Sequence, residues 1–277
     1  MDRSETRDQA RQGPSIGRGV AGFLLLALLA LVIAPGALAA QAILNTERFQ
    51  LGEVEGRHAS VDASGSLKRG NSEVLDLSAS GMVGVMRDRH WPRLIFGGQY
   101  LSDEERSILD QQFAQLRYSY IFSDRLTSFH FVQAQKNETL LLQSRWLVGS
   151  GLRWELYRSE RTELAAGTGL MAESERLDRS RLSPGESWES DRIRVANLAV
   201  FSRELESGAR ILNIVYLQPD VGELSNLRVL NELGLLIPLT DRLRTTAALE
   251  WRRDTRPPAD LGRDDLNLRV GLGLEIL

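Results

Sequence analysis

A histidine and a serine two residues apart, His58 and Ser60, come closest in this sequence to part of a catalytic site. An imidazole next to a hydroxyl can activate it as a nucleophile, but the pair works only when a third group holds the base. Ser128 and His130 form the same pair in reverse order. Neither pair comes with an assigned orienting group, so the sequence predicts no catalytic residue, and we expect the protein not to be an enzyme.

Metal and cofactor sites are also not expected. The chain has no cysteine, and its three histidines, His58, His90 and His130, are too scattered for a zinc site. Glycine pairs such as Gly149 and Gly151 precede no predicted helix, so they do not form a phosphate-binding loop. The formal net charge of −3 argues against a nucleic-acid partner, because phosphate binding needs a basic surface.

Charged residues of both signs recur on the polar face of the predicted strands. Opposite charges on neighbouring strands can form ion pairs across the sheet. Inside a barrel they either close the lumen as a structural network or line a narrow passage and set which solutes enter it. The predicted lumen-lining residues are Arg117, Arg145, Arg153, Glu155, Arg228, Glu232, Arg244, Glu250, Arg252, Arg269 and Glu275.

The elements that would position these charges are strands, because apolar residues recur at every second position. In the last strand Leu266, Leu268 and Val270 alternate with Asn267 and Arg269. We predict an all-β, up-and-down antiparallel barrel of about twelve strands. The strands are expected at 58–69, 73–86, 93–101, 108–122, 126–136, 140–157, 161–176, 191–204, 209–218, 226–239, 243–253 and 264–277.

Two observations favour a transmembrane barrel over a soluble sandwich. Short connections such as 123–125 and 158–160 alternate with longer ones at 177–190, 219–225 and 254–263, as in outer-membrane barrels. The connection at 70–72 is shorter, and that at 87–92 longer, than this rule expects. Trp146 and Trp154 share one face eight residues apart, which corresponds to roughly 20 Å of height and fits two interfacial girdles of aromatic residues.

The first residues are typical of an exported protein. Residues 21–33 (AGFLLLALLALVI) form an apolar run, which Pro35, Gly36 and the small-residue motif Ala37-Leu38-Ala39 follow. We therefore predict a signal peptide over residues 1–39, with an uncleaved membrane anchor as the alternative. Residues 40–57 are predicted to be a short periplasmic lead-in, and residues 58–277 the barrel.

Three segments give the chain a family resemblance. Residues 68–73 (KRGNSE), 129–156 and 162–177 resemble, in this order, the salt-induced outer-membrane proteins (YdiY-like), a family of unknown function. The resemblance implies an outer-membrane β-barrel, without catalytic residues or an assigned ligand. One departure from barrels in general is the chain end, because Leu277 stands where most barrels have an aromatic residue.

The sequence thus predicts a non-enzymatic barrel of the cell outer membrane, either a narrow pore or a plugged structural barrel. The resemblance implies induction by salt stress. Its expected partners are outer-membrane lipid, the barrel-assembly machinery and an unidentified small solute, with no cofactor. One alternative is a lipid hydrolase, since outer-membrane phospholipases are twelve-stranded barrels with a pair similar to His58 and Ser60. The other is a soluble periplasmic β-protein that binds a small ligand.

Overall fold

Alternating sequence patterns become the strands of one closed barrel. The computed structural model describes residues 55–68, 74–102, 107–258 and 261–276. These residues form twelve antiparallel strands, each paired with its neighbours in sequence, and β1 also pairs with β12. The predicted strand number and up-and-down order are therefore confirmed. The strands are β1 (Gly56–Lys68), β2 (Val74–Met86), β3 (His90–Ser102), β4 (Ser107–Ser123), β5 (Leu126–Asn137), β6 (Leu142–Arg158), β7 (Thr162–Leu177), β8 (Glu189–Glu204), β9 (Arg210–Pro219), β10 (Leu227–Pro238), β11 (Leu243–Asp254) and β12 (Asp264–Glu275).

The two faces of each strand have opposite surroundings. On β6, Trp146 and Val148 point outward and are 57% and 55% exposed. Arg145 of the same strand points into the barrel and is 1% exposed. On β12 the outward Leu268 is 64% exposed. This is the inverse of a soluble sheet, which buries its apolar face, and it suits a barrel that is surrounded by lipid.

The two ends of the barrel differ in the length of their connections. At one end, which we call the turn side, residues 87–89, 124–125, 159–161, 205–209 and 239–242 join the strands. The opposite end, which we call the loop side, carries the long connections 178–188, 220–226 and 255–263, the first of which contains a 3-10 turn at Arg179–Arg181. Both ends of the barrel sequence lie on the turn side.

Several predicted boundaries were wrong. β3 begins at His90 rather than at residue 93, so the expected long connection 87–92 is a tight turn, in which Asp88 has a positive φ of 56°. Trp91 belongs to the strand and is buried. β1 begins at Gly56, inside the predicted lead-in 40–57.

Other predictions concern residues that the structure does not describe. The signal peptide 1–39, the rest of the lead-in up to residue 54, the segment 69–73 with its family motif, and Leu277 lie outside the described residues. Among the residues that are described, no helix is long and apolar enough to span a membrane.

Candidate functional site in the barrel interior

A buried group of arginines and carboxylates fills the interior near the loop side. Arg145 on β6 donates from Nε to Glu173 Oε2 on β7 at 2.8 Å, and Arg228 on β10 donates from Nη1 to the same oxygen at 2.6 Å. Since β8 and β9 separate β7 from β10, the contact between Glu173 and Arg228 spans the interior. We call the set Arg145, Glu173, Glu175, Arg194, Arg228 and Asp254 the loop-side cluster.

The loop-side cluster is balanced in charge and closely hydrogen-bonded. Arg194 donates from Nε to Glu173 Oε1 at 3.2 Å, and its other nitrogens donate to Gln218 O and to the backbone and side chain of Asn226. Arg228 also donates to Glu175 at 3.2 Å and to Asp254 at 3.0 Å. Three arginines and three carboxylates buried this deeply can stabilise the folded barrel only because each charge has a partner of opposite sign.

One ion pair continues the cluster into the β9–β10 connection. Arg192 Nη1 donates to Asp220 Oδ2 at 2.6 Å, and the backbone N–H of Gly222 donates to Asp220 Oδ1 at 2.8 Å. Burial acts to raise the pKa of Asp220, but these hydrogen bonds outweigh it and hold the pKa below its usual range. Asp220 is therefore ionised at neutral pH and fixes this loop on the barrel rim.

An apolar contact between connections covers the loop-side mouth. Leu140, Leu142 and Leu177, from the β5–β6 turn, β6 and β7, are buried together, and Leu182 and Leu261 pack against them. Leu261 belongs to the β11–β12 loop, and β8, β9 and β10 separate β7 from β11 in the ring. The contact of Leu261 therefore joins the β11–β12 side of the loop-side mouth to the β6–β7 side.

Behind the loop-side cluster the interior holds a cavity of about 110 Å³, with room for several water molecules. One wall carries Glu250, Arg252 and Arg269. Arg269 donates to Glu250 at 2.8 Å, and Arg252 lies 2.7 Å from the other oxygen of the same carboxylate. This wall is charged on both signs, which favours a polar solute or water over an apolar ligand.

The facing wall is built of small polar residues on β1 and β2. Ser64 and Ser78 pair across these strands, with their hydroxyl oxygens 2.6 Å apart, and Ser80 lies on the same inward face. Short side chains here leave open the space that longer ones fill elsewhere in the lumen. The cavity therefore follows the β1–β2 wall.

Further ion pairs lie at the turn side. Arg153 donates to Glu155 and to Glu163, at 2.6 Å each, and Arg244 donates to Asp62 at 2.8 Å. Because Asp62 also lines the cavity, the pair Arg244–Asp62 marks the end of the cavity that faces the turn side.

Beside the cavity, which Leu212 also lines, the interior is packed with apolar side chains. Leu198, Val200, Leu212 and Ile214 of β8 and β9 form a buried cluster with Ala165. Phe129 and Phe131 of β5 stack with ring centroids 6.5 Å apart. Their rings occupy the space above Gly149 and Gly151 of β6, where a Cβ would lie 2.5 Å from them. Glycine is needed at these inward positions because the phenylalanine rings take the room.

The predicted lumen-lining residues occupy these clusters to different degrees. Buried among them are Arg117, Arg145, Arg153, Arg228, Glu232, Glu250 and Arg252, while Glu155, Arg244 and Arg269 are partly exposed and Glu275 is exposed at the end of β12. Arg117 lies with its guanidinium carbon 5.0 Å from the ring centre of Phe129. Glu232 lies 3.7 Å from Arg269.

Sequence reasoning missed several interior residues. Glu173, Arg194 and Asp254 belong to the loop-side cluster, and Ser78 to the cavity, yet none was predicted as a lumen residue. Glu173 and Glu175 lie an even number of residues from Ala165 and Gly167 on β7, so all four point to the same face of the strand. Counting positions along the strand could therefore have identified the two glutamates as inward. Arg194 was hidden because β8 alternates poorly.

The structure places the histidines of the two histidine and serine pairs on opposite faces of the barrel wall. His58 points inward, with its ring 6.3 Å from that of Trp91. His130 points outward and pairs not with Ser128 but with Ser150 of β6, whose Oγ lies 2.9 Å from His130 Nδ1. Among the described residues, no group of three or more histidine, cysteine or acidic side chains is placed to hold a metal ion.

Solved structures with a similar fold are outer-membrane barrels. An outer membrane channel from Pseudomonas putida F1 is 9% identical, with a TM-score of 0.51 over 88% of this chain and 100% of that one. The NanC porin is 10% identical, with a TM-score of 0.49 over 78% of this chain and 100% of that one. An anion-selective porin from Comamonas acidovorans is 9% identical, with a TM-score of 0.40 over 79% and 98% of the two chains. At such identities the similarity shows the fold alone, and only the first of these scores carries the argument.

Comparisons of sequence give a family and no closer relative. No protein with a curated description matches the chain. The family model described as "Protein of unknown function, DUF481" matches residues 61–276, which is most of the chain and nearly all of the barrel from β1 to β12. The resemblance to an uncharacterised family is thereby confirmed, and the chain belongs to the DUF481 family of proteins of unknown function.

Proposed function

We propose that the protein is a channel of the outer membrane with a narrow polar passage, which is closed at the loop side in this structure. The main support for a channel is the cavity along the β1–β2 wall, where serines face a charged wall across open space. A barrel with a purely structural role does not require such a cavity. The loop-side cluster and the loop that carries Leu261 lie between this cavity and the outside. Solute size is then limited to ions and small polar molecules.

If the loop side is the closed end of the channel, then loosening its apolar contact should open the channel to ions. Replacing Leu261 with aspartate puts a charge into the apolar contact and is expected to detach the β11–β12 loop from the rim. In a planar bilayer, Leu261→Asp is expected to raise the open probability well above that of the unaltered protein. The control is Leu224→Asp, since Leu224 is 71% exposed in the β9–β10 loop and its replacement removes no such contact.

Silence of both the unaltered protein and Leu261→Asp would contradict the channel and support the plugged structural barrel. That second candidate has its own observation, the charge-balanced loop-side cluster, whose buried ion pairs can hold the lumen shut permanently. Equal activity of Leu261→Asp and Leu224→Asp would instead mean that the loop does not close the mouth.

A cysteine placed in the cavity tests the route itself. The chain has no cysteine, so Ser78→Cys in the Leu261→Asp background offers a single thiol. A charged methanethiosulfonate reagent is expected to react there and to lower the single-channel conductance by about half or more, because it fills a passage of this size. The outward Ser174→Cys on β7 is the matched control. Unchanged conductance after modification of Ser78→Cys would show that ions do not pass along the β1–β2 wall.

A further inference from the structure

Six adjacent strands carry a polar residue on their outward face near the middle of the strand. These residues, one on each strand from β5 to β10 and each directly opposite or within four residues of register with the next, are His130, Ser150, Thr168, Asn197, Asn213 and Asn231. We call this set the outward belt. Halfway along the other wall, the outward residues of β11, β12 and β2 include Ala247, Val270 and Ala79, all apolar.

Belt side chains are hydrogen-bonded to each other in two places, between His130 and Ser150 and between Thr168 and Asn197, and its asparagines also donate to backbone carbonyls. Thr168 donates to Asn197 Oδ1 at 2.8 Å, and Asn197 Nδ2 donates to the carbonyl of Leu217. Asn213 Nδ2 donates to the carbonyl of Glu232 and Asn231 Nδ2 to that of Ile214. An amide has two donor hydrogens and an acceptor oxygen with two lone pairs, so these bonds use only part of what each asparagine offers.

The height of the outward belt is where polar groups are least favourable. Ser150 lies midway between Trp146 and Trp154, four residues from each, and both tryptophans are exposed on the same face. If these rings mark the two membrane interfaces, Ser150 lies about 10 Å inside each one, near the centre of the bilayer. Lipid tails offer no hydrogen-bond partners there.

This depth also bears on the pair His130–Ser150 as a hydrolytic site. Ester bonds of lipids and the water that would cleave them are found near the membrane interface, not at its centre. The pair therefore belongs with the other outward polar groups rather than with a lipase.

We propose that the outward belt is the surface through which copies of this chain associate into a closed ring in the membrane. Asparagine both donates and accepts hydrogen bonds, so a belt of amides and hydroxyls is complementary to a second copy of itself. Polar side chains that face lipid in a monomer would then face each other, where each can complete its hydrogen bonds.

The width of the outward belt indicates more than one neighbour. Two convex barrels side by side touch along a strip that is narrower than half of either circumference. The belt covers six of the twelve strands, which is half of the circumference. Two neighbours on adjacent sides of each barrel account for it, with the β5–β7 half of one copy against the β8–β10 half of the next, which is the arrangement of a ring of three or more.

Replacement of belt amides by leucine is the first test. Asn213→Leu/Asn231→Leu gives these positions a surface that lipid solvates well and removes two amides from the contact. The unaltered protein is expected to have the mass of three or more copies in mild detergent, and the double variant that of one. The control Gln112→Leu removes an exposed outward amide on β4, outside the belt, and is expected to keep the ring. A mass of one or two copies for the unaltered protein, or an unchanged ring in the double variant, overturns the proposal.

Cross-linking in intact membranes tests the same contact without detergent. Ser150→Cys/Val215→Cys places one thiol on β6 and one on β9, which are too far apart within a barrel for a disulfide. Oxidation, in which two thiols lose two electrons to an added oxidant such as copper phenanthroline, is expected to link copies into a ladder of dimers, trimers and higher species. Val61→Cys/Val270→Cys on the opposite wall is the matched control and is expected to give no ladder. No ladder from the belt thiols, or an equal ladder from the control, overturns the proposal.

Discussion

Glu173→Gln is expected to destabilise the folded barrel by about 3–5 kcal/mol, because it removes one partner from a buried group of charges. Glu173 is 2% exposed and accepts hydrogen bonds from Arg145, Arg194 and Arg228. Glutamine is almost the same size, so the loss comes from three buried guanidinium groups that keep too few carboxylates. The measurement is the midpoint of urea unfolding in detergent, followed by tryptophan fluorescence.

A carboxylate at the barrel surface provides the control for this experiment. Glu204 lies 3.4 Å from Arg210, and both side chains are more than a third exposed. Glu204→Gln is expected to cost at most about 1 kcal/mol, as for surface ion pairs in general. If Glu173→Gln unfolds at the same urea concentration as Glu204→Gln, the loop-side cluster does not stabilise the barrel.

Gly151→Val is expected to prevent correct assembly of the barrel rather than to weaken it slightly. Gly151 on β6 faces Gly169 on β7, and a Cβ at position 151 would lie 2.8 Å from Gly169 Cα and 2.5 Å from the ring of Phe129. The backbone of a paired strand cannot move away without breaking hydrogen bonds to its other neighbour. We expect little or no folded protein in the membrane fraction, measured as the heat-modifiable band on a gel.

Gly234 provides the control, because it is an inward glycine with space around it for a side chain. A Cβ at Gly234 on β10 would meet its nearest atom at 3.7 Å, which is ordinary contact. Gly234→Val is therefore expected to assemble at a level close to that of the unaltered protein. Equal assembly of Gly151→Val and Gly234→Val would mean that the close approach of β6 and β7 is not required for folding.

Much of the fold could be predicted because side chains alternate between two environments. Strands with strict alternation, such as β6 and β12, were predicted within a few residues of their bounds. β3 was predicted too short because Pro92 and the buried Trp91 interrupt the apparent pattern at its start. β8 alternates poorly for a physical reason, since Leu198 and Val200 point into the apolar part of the interior while Asn197 points outward.

The interior site was predictable as a face but not as a set of contacts. Parity along a strand tells which side chains point inward, and it identified Arg145 and Arg228. It cannot tell that Arg228 of β10 reaches Glu173 of β7, because that depends on how the ring closes and on which strands face each other across it. The cavity escaped prediction for the same reason, because parity puts Ser64 and Ser78 on the inward face but does not show that open space remains in front of them.

A gel of the outer-membrane fraction, run with and without boiling, is the most direct test of the central claim that this chain is a barrel in the outer membrane. A closed barrel leaves no strand edge from which unfolding can begin, so it stays folded in detergent until heated. The account predicts that the protein is found in this fraction and that its band shifts on boiling. Protein found in the periplasm without detergent, with no shift of its band, would contradict the account and favour a soluble β-protein.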